Sequence, residues 1–143
     1  MYKRQAARCV ASWRGERGER ALERWRRTAY EAGKQARRAW FPEVRELMDT
    51  ARLSELLRTA ALPVVLHEEA CVALAALSVP ASGDVVLVVG PEGGLTPDEL
   101  TVLAPPRRPA VRLGPTVLRT STAGTAAAAV LLAQSRRWAA PAP

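Results

Sequence analysis

Residues 84–94 read DVVLVVGPEGG and residues 113–124 read LGPTVLRTSTAG, and these two stretches decide the fold. The first joins an uninterrupted run of Val and Leu to a Gly-rich turn. Such a run is typical of a strand buried on both faces of a parallel sheet. The second leaves another short apolar run and enters an Ala/Leu-rich helix. Because open α/β sheets bind ligands at the carboxyl ends of their strands, the two loops predict a ligand pocket.

Strands and helices alternate along the chain, which predicts an α/β fold with a mostly parallel sheet. Short apolar runs rich in β-branched residues predict strands at 63–66, 84–89 and 110–113. The tail of a further strand is predicted at 7–13.

Helical spacing places the first helices between those strands. Apolar residues at spacings of three and four predict a helix at about 19–39, after a turn at 14–18, with Pro42 closing it. The spacing is weaker across 44–60, where we also expect helix. A short helix is predicted at 70–77.

Two later helices have recognisable N-termini. Thr96 and Glu99 have the spacing of a capping box, and Pro97 fits the first helical position of a helix to residue 103. Thr120 or Ser121 is expected to cap a last helix that runs to about residue 138, before a tail.

The composition is that of a single globular domain: 143 residues, 48% hydrophobic and 24% charged. Cys9 and Cys71 match neither a disulfide framework nor a metal-binding pair, and His67 is the one histidine, so no metal site is expected. No signal peptide pattern is visible, and the longest nearly apolar run falls short of the roughly 20 residues that span a bilayer. These features predict a soluble, cytoplasmic protein.

The charge is strongly asymmetric. Residues 1–45 hold thirteen Lys/Arg against five Asp/Glu, a net charge of +8, so the remainder of the +7 chain carries −1. A basic arm indicates a polyanionic partner such as RNA, whereas the simpler interpretation is a solvated Arg-rich helix. Trp25 and Trp40 lie on this arm, and we interpret them as core or interface residues rather than as stacking platforms.

The Gly-rich loop after the 84–89 strand matches neither the P-loop nor the dinucleotide-binding pattern. Gly90, Gly93 and Gly94 permit positive φ and let a ligand approach the backbone closely. Glu92 stands at the strand exit, where a carboxylate can accept a hydrogen bond from a hydroxyl or orient an arginine. The alternative is a solvated Glu in an ordinary turn.

Arg119 is the most informative charged residue. It follows the apolar pair Val117 and Leu118 and directly precedes the last predicted helix. A cation beside a buried run and a helix N-terminus predicts a site for an anion or a developing oxyanion. A surface arginine paired with a carboxylate is the alternative.

Three ordered blocks resemble the RsmE-type family of bacterial enzymes that methylate N3 of a uridine in 16S ribosomal RNA. The blocks are ERWRRTAYEAGKQARRAWFPEV at 23–44, VVGPEGGLTPDEL at 88–100 and LGPTVLRTSTA at 113–123. The resemblance covers nearly the whole chain. It implies the SPOUT fold, in which a mostly parallel sheet flanked by helices contains a deep trefoil knot. It also implies a homodimer that uses S-adenosyl-L-methionine and needs neither a metal nor a membrane.

The resemblance also implies roles for individual residues. Backbone groups of the knot loops hold the cofactor in this family. The implied cofactor-binding positions are Leu66, Gly90, Leu113, Gly114, Val117 and Leu118. Arg119 is expected to face the uridine and to stabilise the anion that forms when N3 loses its proton, with Glu92 as a candidate proton acceptor. The implied RNA-binding positions are Arg24, Arg27, Lys34, Gln35, Arg37 and Arg38.

The resemblance further implies that residues 1–143 are part of a methyltransferase domain. Residues 1–5 match poorly, 84–138 correspond to the knot and cofactor region, and 139–143 form a tail. Family members carry an RNA-binding barrel domain, then an opening strand and helix, before the matching stretch. We expect all of these to be missing here.

Two positions depart from the family pattern. Thr116 stands where an arginine is expected, and Ser121 stands where an acidic residue is common. Two other functions remain open at this point. One is a related SPOUT enzyme that acts on tRNA or on a ribose 2′-hydroxyl, and the other is a non-catalytic RNA-binding or dimerisation module.

Overall fold

A computed structural model describes residues 3–4 and 15–138, and it shows strands and helices in alternation. The strands are β1 (Lys3–Arg4), β2 (Leu47–Met48), β3 (Leu62–Val65), β4 (Val72–Ala73), β5 (Val85–Val88) and β6 (Val111–Arg112). The α-helices are α1 (Gly15–Gln35), α2 (Thr50–Thr59), α3 (Pro97–Leu103) and α4 (Thr120–Ala133), and a 3-10 turn spans Leu74–Ala76. This order confirms the predicted α/β class.

The strands form three parallel pairs: β1 with β2, β3 with β5, and β4 with β6. In the longest pair, Val65 of β3 lies opposite Val88 of β5. Leu66 extends β3 into a parallel bridge with Val111, so the β3–β5 and β4–β6 pairs adjoin. The parallel pairing confirms the predicted sheet. No knot is visible within residues 3–4 and 15–138, so the trefoil stays a prediction.

The core lies on both faces of the β3–β5 pair, because neighbouring side chains of a strand point to opposite sides. Val65 belongs to a buried cluster that includes Leu57 of α2 and Leu103 of α3. Val64 belongs to a second cluster, which includes Leu131 of α4. The sheet is therefore covered by α2 and α3 on one side and by α4 on the other.

Strand β5 is less buried than its sequence predicts. Val88 is buried, but Val85 at the start of the strand is 39% exposed. Within the part of the chain that the structure describes, β5 is hydrogen-bonded to β3 on one edge. The prediction of burial along the whole run is therefore wrong at its first residue.

Helix α1 is displaced toward the N-terminus relative to its prediction. Residues 15–18, predicted as part of a turn, form its first turn, and it ends at Gln35 rather than near 39. Pro42 was expected to set the end of the helix, but the chain leaves the helix several residues earlier.

A Schellman motif ends α1. The Arg37 N–H donates to the Lys34 carbonyl at 3.0 Å, and the Arg38 N–H donates to the Gly33 carbonyl at 3.1 Å. Arg37 has a φ of 49°, in the left-handed region where glycine is the usual residue at this position. An L residue other than glycine costs roughly 1–2 kcal/mol there. The helix thus ends at an arginine that occupies a strained position.

The periodic apolar face of α1 is not part of the core. Gly18 and Gly33 are the buried residues of this helix, and Trp25 and Trp40 are both exposed. Of the two alternatives for these tryptophans, core or interface, the core is wrong, and the interface stays a prediction. The physical reason is that α2, α3 and α4 already cover both faces of the central strand pair.

Two predicted helices differ from the structure. The 44–60 segment contains strand β2 before α2, which begins where the Asp49 side chain accepts the Arg52 N–H at 2.7 Å. The 70–77 segment contains β4 and the 3-10 turn instead of an α-helix. Both errors arise because pairing with a distant strand, β1 or β6, overrides the local helical spacing.

The capping box of α3 is confirmed. The Thr96 N–H donates to Glu99 Oε2 at 2.9 Å, and the Glu99 N–H donates to Thr96 Oγ1 at 3.2 Å.

The prediction for α4 is wrong at both ends, because its N-cap is Arg119 and its last residue is Ala133. The Thr120 hydroxyl bonds outside the helix instead of capping it.

The predicted strand tail at 7–13 and the C-terminal tail at 139–143 lie outside the described residues. Among the helices that the structure describes, none has the length and apolar character needed to cross a membrane.

Candidate functional site

A cavity of about 520 Å³ opens where β3, β5 and β6 end. Its volume falls within the range of small-molecule sites. Three segments line it. They contribute Leu66, His67 and Glu68; Val89, Gly90, Pro91, Glu92, Gly94 and Leu95; and Arg112, Leu113, Gly114, Thr116, Val117, Leu118, Arg119, Thr120, Ser121 and Ala123. The predicted pocket at the carboxyl ends of parallel strands is therefore present.

The loop after β5 is a tight turn. The Gly94 N–H donates to the Pro91 carbonyl at 2.9 Å, which places Glu92 in the exposed part of the turn. Gly94 has a φ of 71°, and it is the one of the three loop glycines that uses this freedom. A Cβ on Gly90 would lie 3.4 Å from Leu95 Cγ, so close packing rather than backbone strain favours glycine at that position.

The segment after β6 brings a cation to a helix N-terminus. The Arg119 carbonyl accepts the N–H groups of Thr122 and Ala123, each at 2.8 Å, so Arg119 occupies the N-cap of α4. A helix N-terminus carries partial positive charge from its aligned peptide dipoles. The exposed Arg119 side chain and this dipole therefore act on the same end of the cavity.

A hydrogen bond joins the two loops. The Thr120 hydroxyl donates to the Gly90 carbonyl at 3.1 Å across 30 residues of sequence. The loop after β5 and the start of α4 thus form adjoining walls of one cavity.

The structure separates the predicted site residues into two groups. All of the predicted cofactor-binding and catalytic positions line the cavity. They are Leu66, Gly90, Glu92, Leu113, Gly114, Val117, Leu118 and Arg119. The predicted RNA-binding positions lie on α1 and the turn that ends it, outside the cavity lining. They are Arg24, Arg27, Lys34, Gln35, Arg37 and Arg38, and all are exposed.

Sequence reasoning did not assign the polar residues His67, Glu68 and Arg112 to the site, although all three line the cavity. Two hydrogen bonds hold His67 in place. Its backbone N–H donates to the Val111 carbonyl at 2.9 Å, and its ring Nδ1 accepts the Glu69 backbone N–H at 3.3 Å. The signal was available, because His67 and Glu68 follow β3 directly and parallel strands end at the same edge. Among the described residues, no group of three or more His, Cys, Asp or Glu is arranged to hold a metal ion.

The family model described as "RNA methyltransferase domain" matches residues 2–132, and the chain belongs to this family. The chain is 45% identical over 138 residues to ribosomal RNA small subunit methyltransferase E of Mycobacterium tuberculosis, covering 94% of the chain and 53% of that protein. It is 33% identical over 126 residues to the protein of the same name from Bacillus subtilis, covering 83% and 49%.

A solved structure supports the same relationship. The crystal structure of ribosomal RNA small subunit methyltransferase E from Neisseria gonorrhoeae, bound to S-adenosyl methionine, superimposes with a TM-score of 0.74 at 30% identity. The match covers 94% of this chain and 54% of that one. The chain spans about half the length of the curated relatives it matches.

Proposed function

We propose that this chain carries the cofactor site and catalytic residues of an S-adenosyl-L-methionine-dependent enzyme that methylates N3 of a uridine in 16S ribosomal RNA. One observation carries the proposal: residues from three separate segments, each implied in cofactor binding or catalysis, line a single cavity. The names of the relatives from M. tuberculosis and B. subtilis support rRNA as the substrate. The bound ligand of the N. gonorrhoeae structure supports the cofactor.

The residues around the cavity fit such a cofactor. Leu66, Leu113, Val117 and Leu118 supply apolar surface, and the loop backbones supply the N–H and C=O groups that fix the orientation of a nucleoside. A Cβ built on Gly114 meets no atom within 4 Å, so this residue borders open space. When bound, S-adenosyl-L-methionine supplies an activated methyl group.

Gly114 allows the cofactor site to be tested without disturbing the fold. Gly114→Val is expected to weaken S-adenosyl-L-methionine binding at least about tenfold, because the added side chain enters space that the cofactor would use. The thermal midpoint should stay within about 2 °C of the parent, because the added Cβ meets no protein atom within 4 Å. Isothermal calorimetry and thermal unfolding measure the two quantities.

Ala81→Val, at an exposed loop residue outside the cavity lining, is the matched control for the added methyl groups. Equal cofactor affinity in both variants would contradict the assignment of Gly114 to the site.

The chain's own residues can promote the reaction at N3. Uridine N3 carries a proton and becomes nucleophilic when that proton leaves, whereupon negative charge spreads to the flanking carbonyl oxygens. The Arg119 guanidinium and the N-terminus of α4 would stabilise that charge, because both are positive groups at the cavity. Glu92 is the proposed proton acceptor, since its carboxylate is exposed at the cavity.

The proposal includes RNA contact by the basic residues of α1, which would bind phosphates as exposed cations.

The proposal also includes a homodimer. Helix α4 reads TSTAGTAAAAVLLA, and a helix that is apolar on every side is typical of burial by more than one neighbour. In the described chain, Ala127 and Leu131 are its buried residues, which leaves surface for a second copy. Sedimentation equilibrium of the full chain tests this state.

The direct test combines binding and product analysis. We expect calorimetry to show one S-adenosyl-L-methionine site per chain. Small ribosomal subunits lacking this modification should then accept a labelled methyl group that mass spectrometry of digested nucleosides places at uridine N3. A methylated ribose or a methylated tRNA would support the related SPOUT activities instead. A folded chain without cofactor binding would leave the non-catalytic RNA-binding or dimerisation module.

A further inference from the structure

We propose that the turn after α1 binds an unpaired base and its neighbouring phosphates in single-stranded RNA. The surface consists of Tyr30, Arg37, Arg38, Trp40 and Phe41, and we call it the aromatic turn. The inference rests on the proposed function, because it assumes an RNA substrate, and it adds a site of base contact separate from the cavity. The cofactor-binding measurement distinguishes failure of this inference from failure of the proposed function.

Two rings of the aromatic turn are packed against each other. The Phe41 ring stacks on the Tyr30 ring, with centroids 4.9 Å apart and planes inclined by 24°. Gly33 makes this contact possible, because a Cβ there would lie 2.6 Å from Phe41 Cδ1. The Schellman hydrogen bond from the Arg38 N–H to the Gly33 carbonyl fixes the backbone of the same turn. Trp40 is therefore attached to an anchored neighbour.

The aromatic side chains are nevertheless open to solvent. Trp40 is 85% exposed, Tyr30 is 51% exposed and Phe41 is 47% exposed. Tyr30 and Phe41 are in ring contact and Trp40 is the next residue along the chain, so three large aromatic side chains are exposed on one short turn, as is typical of an interaction site. The question is which partner covers it.

Charge selects a nucleic acid as the occupant. Residues 24–41 contain six Lys/Arg and one Glu, a net charge of +5. A second copy of the chain placed here through a two-fold axis would bring like charges together, whereas RNA brings phosphates. Arg37 adds to this argument, because its left-handed backbone keeps an arginine where glycine would be free of strain. That strain is consistent with a role for the guanidinium.

The occupant is single-stranded because stacking requires a free base face. Bases inside a duplex stack on one another, while an unpaired base can stack on an exposed aromatic ring with neighbouring cations at its phosphates. The Trp40 indole supplies the ring, and Arg37 and Arg38 supply the cations. Lys34 lies close by, with its Nζ 5.5 Å from the centroid of the Tyr30 ring.

The test uses a fluorescein-labelled single-stranded oligouridine and fluorescence anisotropy on the full chain at several salt concentrations. Trp40→Ala is expected to weaken binding about tenfold with an unchanged salt slope, since stacking involves no released counterion. The matched control is Trp138→Ala, because Trp138 is also exposed, at 59%, and belongs to the segment after α4 rather than to the aromatic turn. It should bind like the parent.

Arg37→Gly tests the charge separately from the backbone. Glycine is the favoured residue at this φ, so the turn is retained while the guanidinium is lost. The slope of log affinity against log salt should fall by about 0.7, the value for one phosphate contact to a single strand.

Three results would overturn the inference. The first is no measurable oligouridine binding by the parent chain. The second is equal RNA affinity in Trp40→Ala and Trp138→Ala. The third is dissociation of a homodimer by Trp40→Ala with RNA affinity unchanged, which would make the surface a protein interface. Calorimetry with S-adenosyl-L-methionine on each variant shows that the cofactor site is intact, because none of these residues lines the cavity.

Discussion

Arg119→Ala is expected to lower the rate of methyl transfer about 100- to 1000-fold while S-adenosyl-L-methionine affinity stays within a few fold. Removing one preorganised group that stabilises a developing anion has effects of this size. The loss should appear in the turnover number, because the negative charge on the uridine develops during the reaction and is absent in the bound substrate. Single-turnover methylation and calorimetry separate the two effects.

Arg136→Ala is the matched control, because Arg136 is an exposed arginine just beyond the other end of α4 and outside the cavity lining. Arg119→Lys should recover part of the activity, since a lysine keeps the charge but not the planar fork. Unchanged turnover in Arg119→Ala would exclude this residue from the chemistry. Equal losses in turnover and cofactor affinity would instead make it a cofactor-binding residue.

Leu57→Ala should strongly destabilise the fold, lowering the free energy of unfolding by about 2–5 kcal/mol. Leu57 lies on α2 and is fully buried against the cluster around Val65 and Leu103. Truncation removes apolar contacts and leaves a cavity, because the strand behind it is fixed by pairing with β5 and cannot move in to fill the space. Urea unfolding followed by circular dichroism measures the change.

Val102→Ala provides the comparison for Leu57→Ala. Val102 lies on the neighbouring helix α3 but is exposed, so its truncation should change the unfolding free energy by less than about 0.5 kcal/mol. Similar losses in the two variants would mean that α2 does not pack on the β3–β5 pair as the structure shows.

The parts of the fold that were predicted correctly depend on local sequence. The strands at β3 and β5 follow from short runs of Val and Leu, and the α3 capping box follows from the spacing of Thr96 and Glu99. The errors occur where distant contacts decide. Residues 70–77 favour helix locally, but β4 pairs with β6 almost 40 residues away. The C-terminus of α1 was missed because its Schellman motif uses Arg37, whereas the sequence signal for that motif is glycine.

The candidate site was more predictable than the fold around it. Parallel strands end at one edge, so the loops after β5 and β6 had to meet, and the structure brings them together at one cavity. The same rule applied to β3 would have added His67 and Glu68. The exposure of Trp40 could not be predicted, because helical periodicity shows which residues share a face but not whether another element covers that face.

The hydrogen bond from the Thr120 hydroxyl to the Gly90 carbonyl makes the two loops mechanically dependent on each other. Neither loop can move independently of the other until this hydrogen bond breaks. Entry and exit of a ligand should therefore involve the turn at 90–94 and the first turn of α4 as one moving unit. Amide hydrogen exchange in the two segments is accordingly expected to speed up or slow down together.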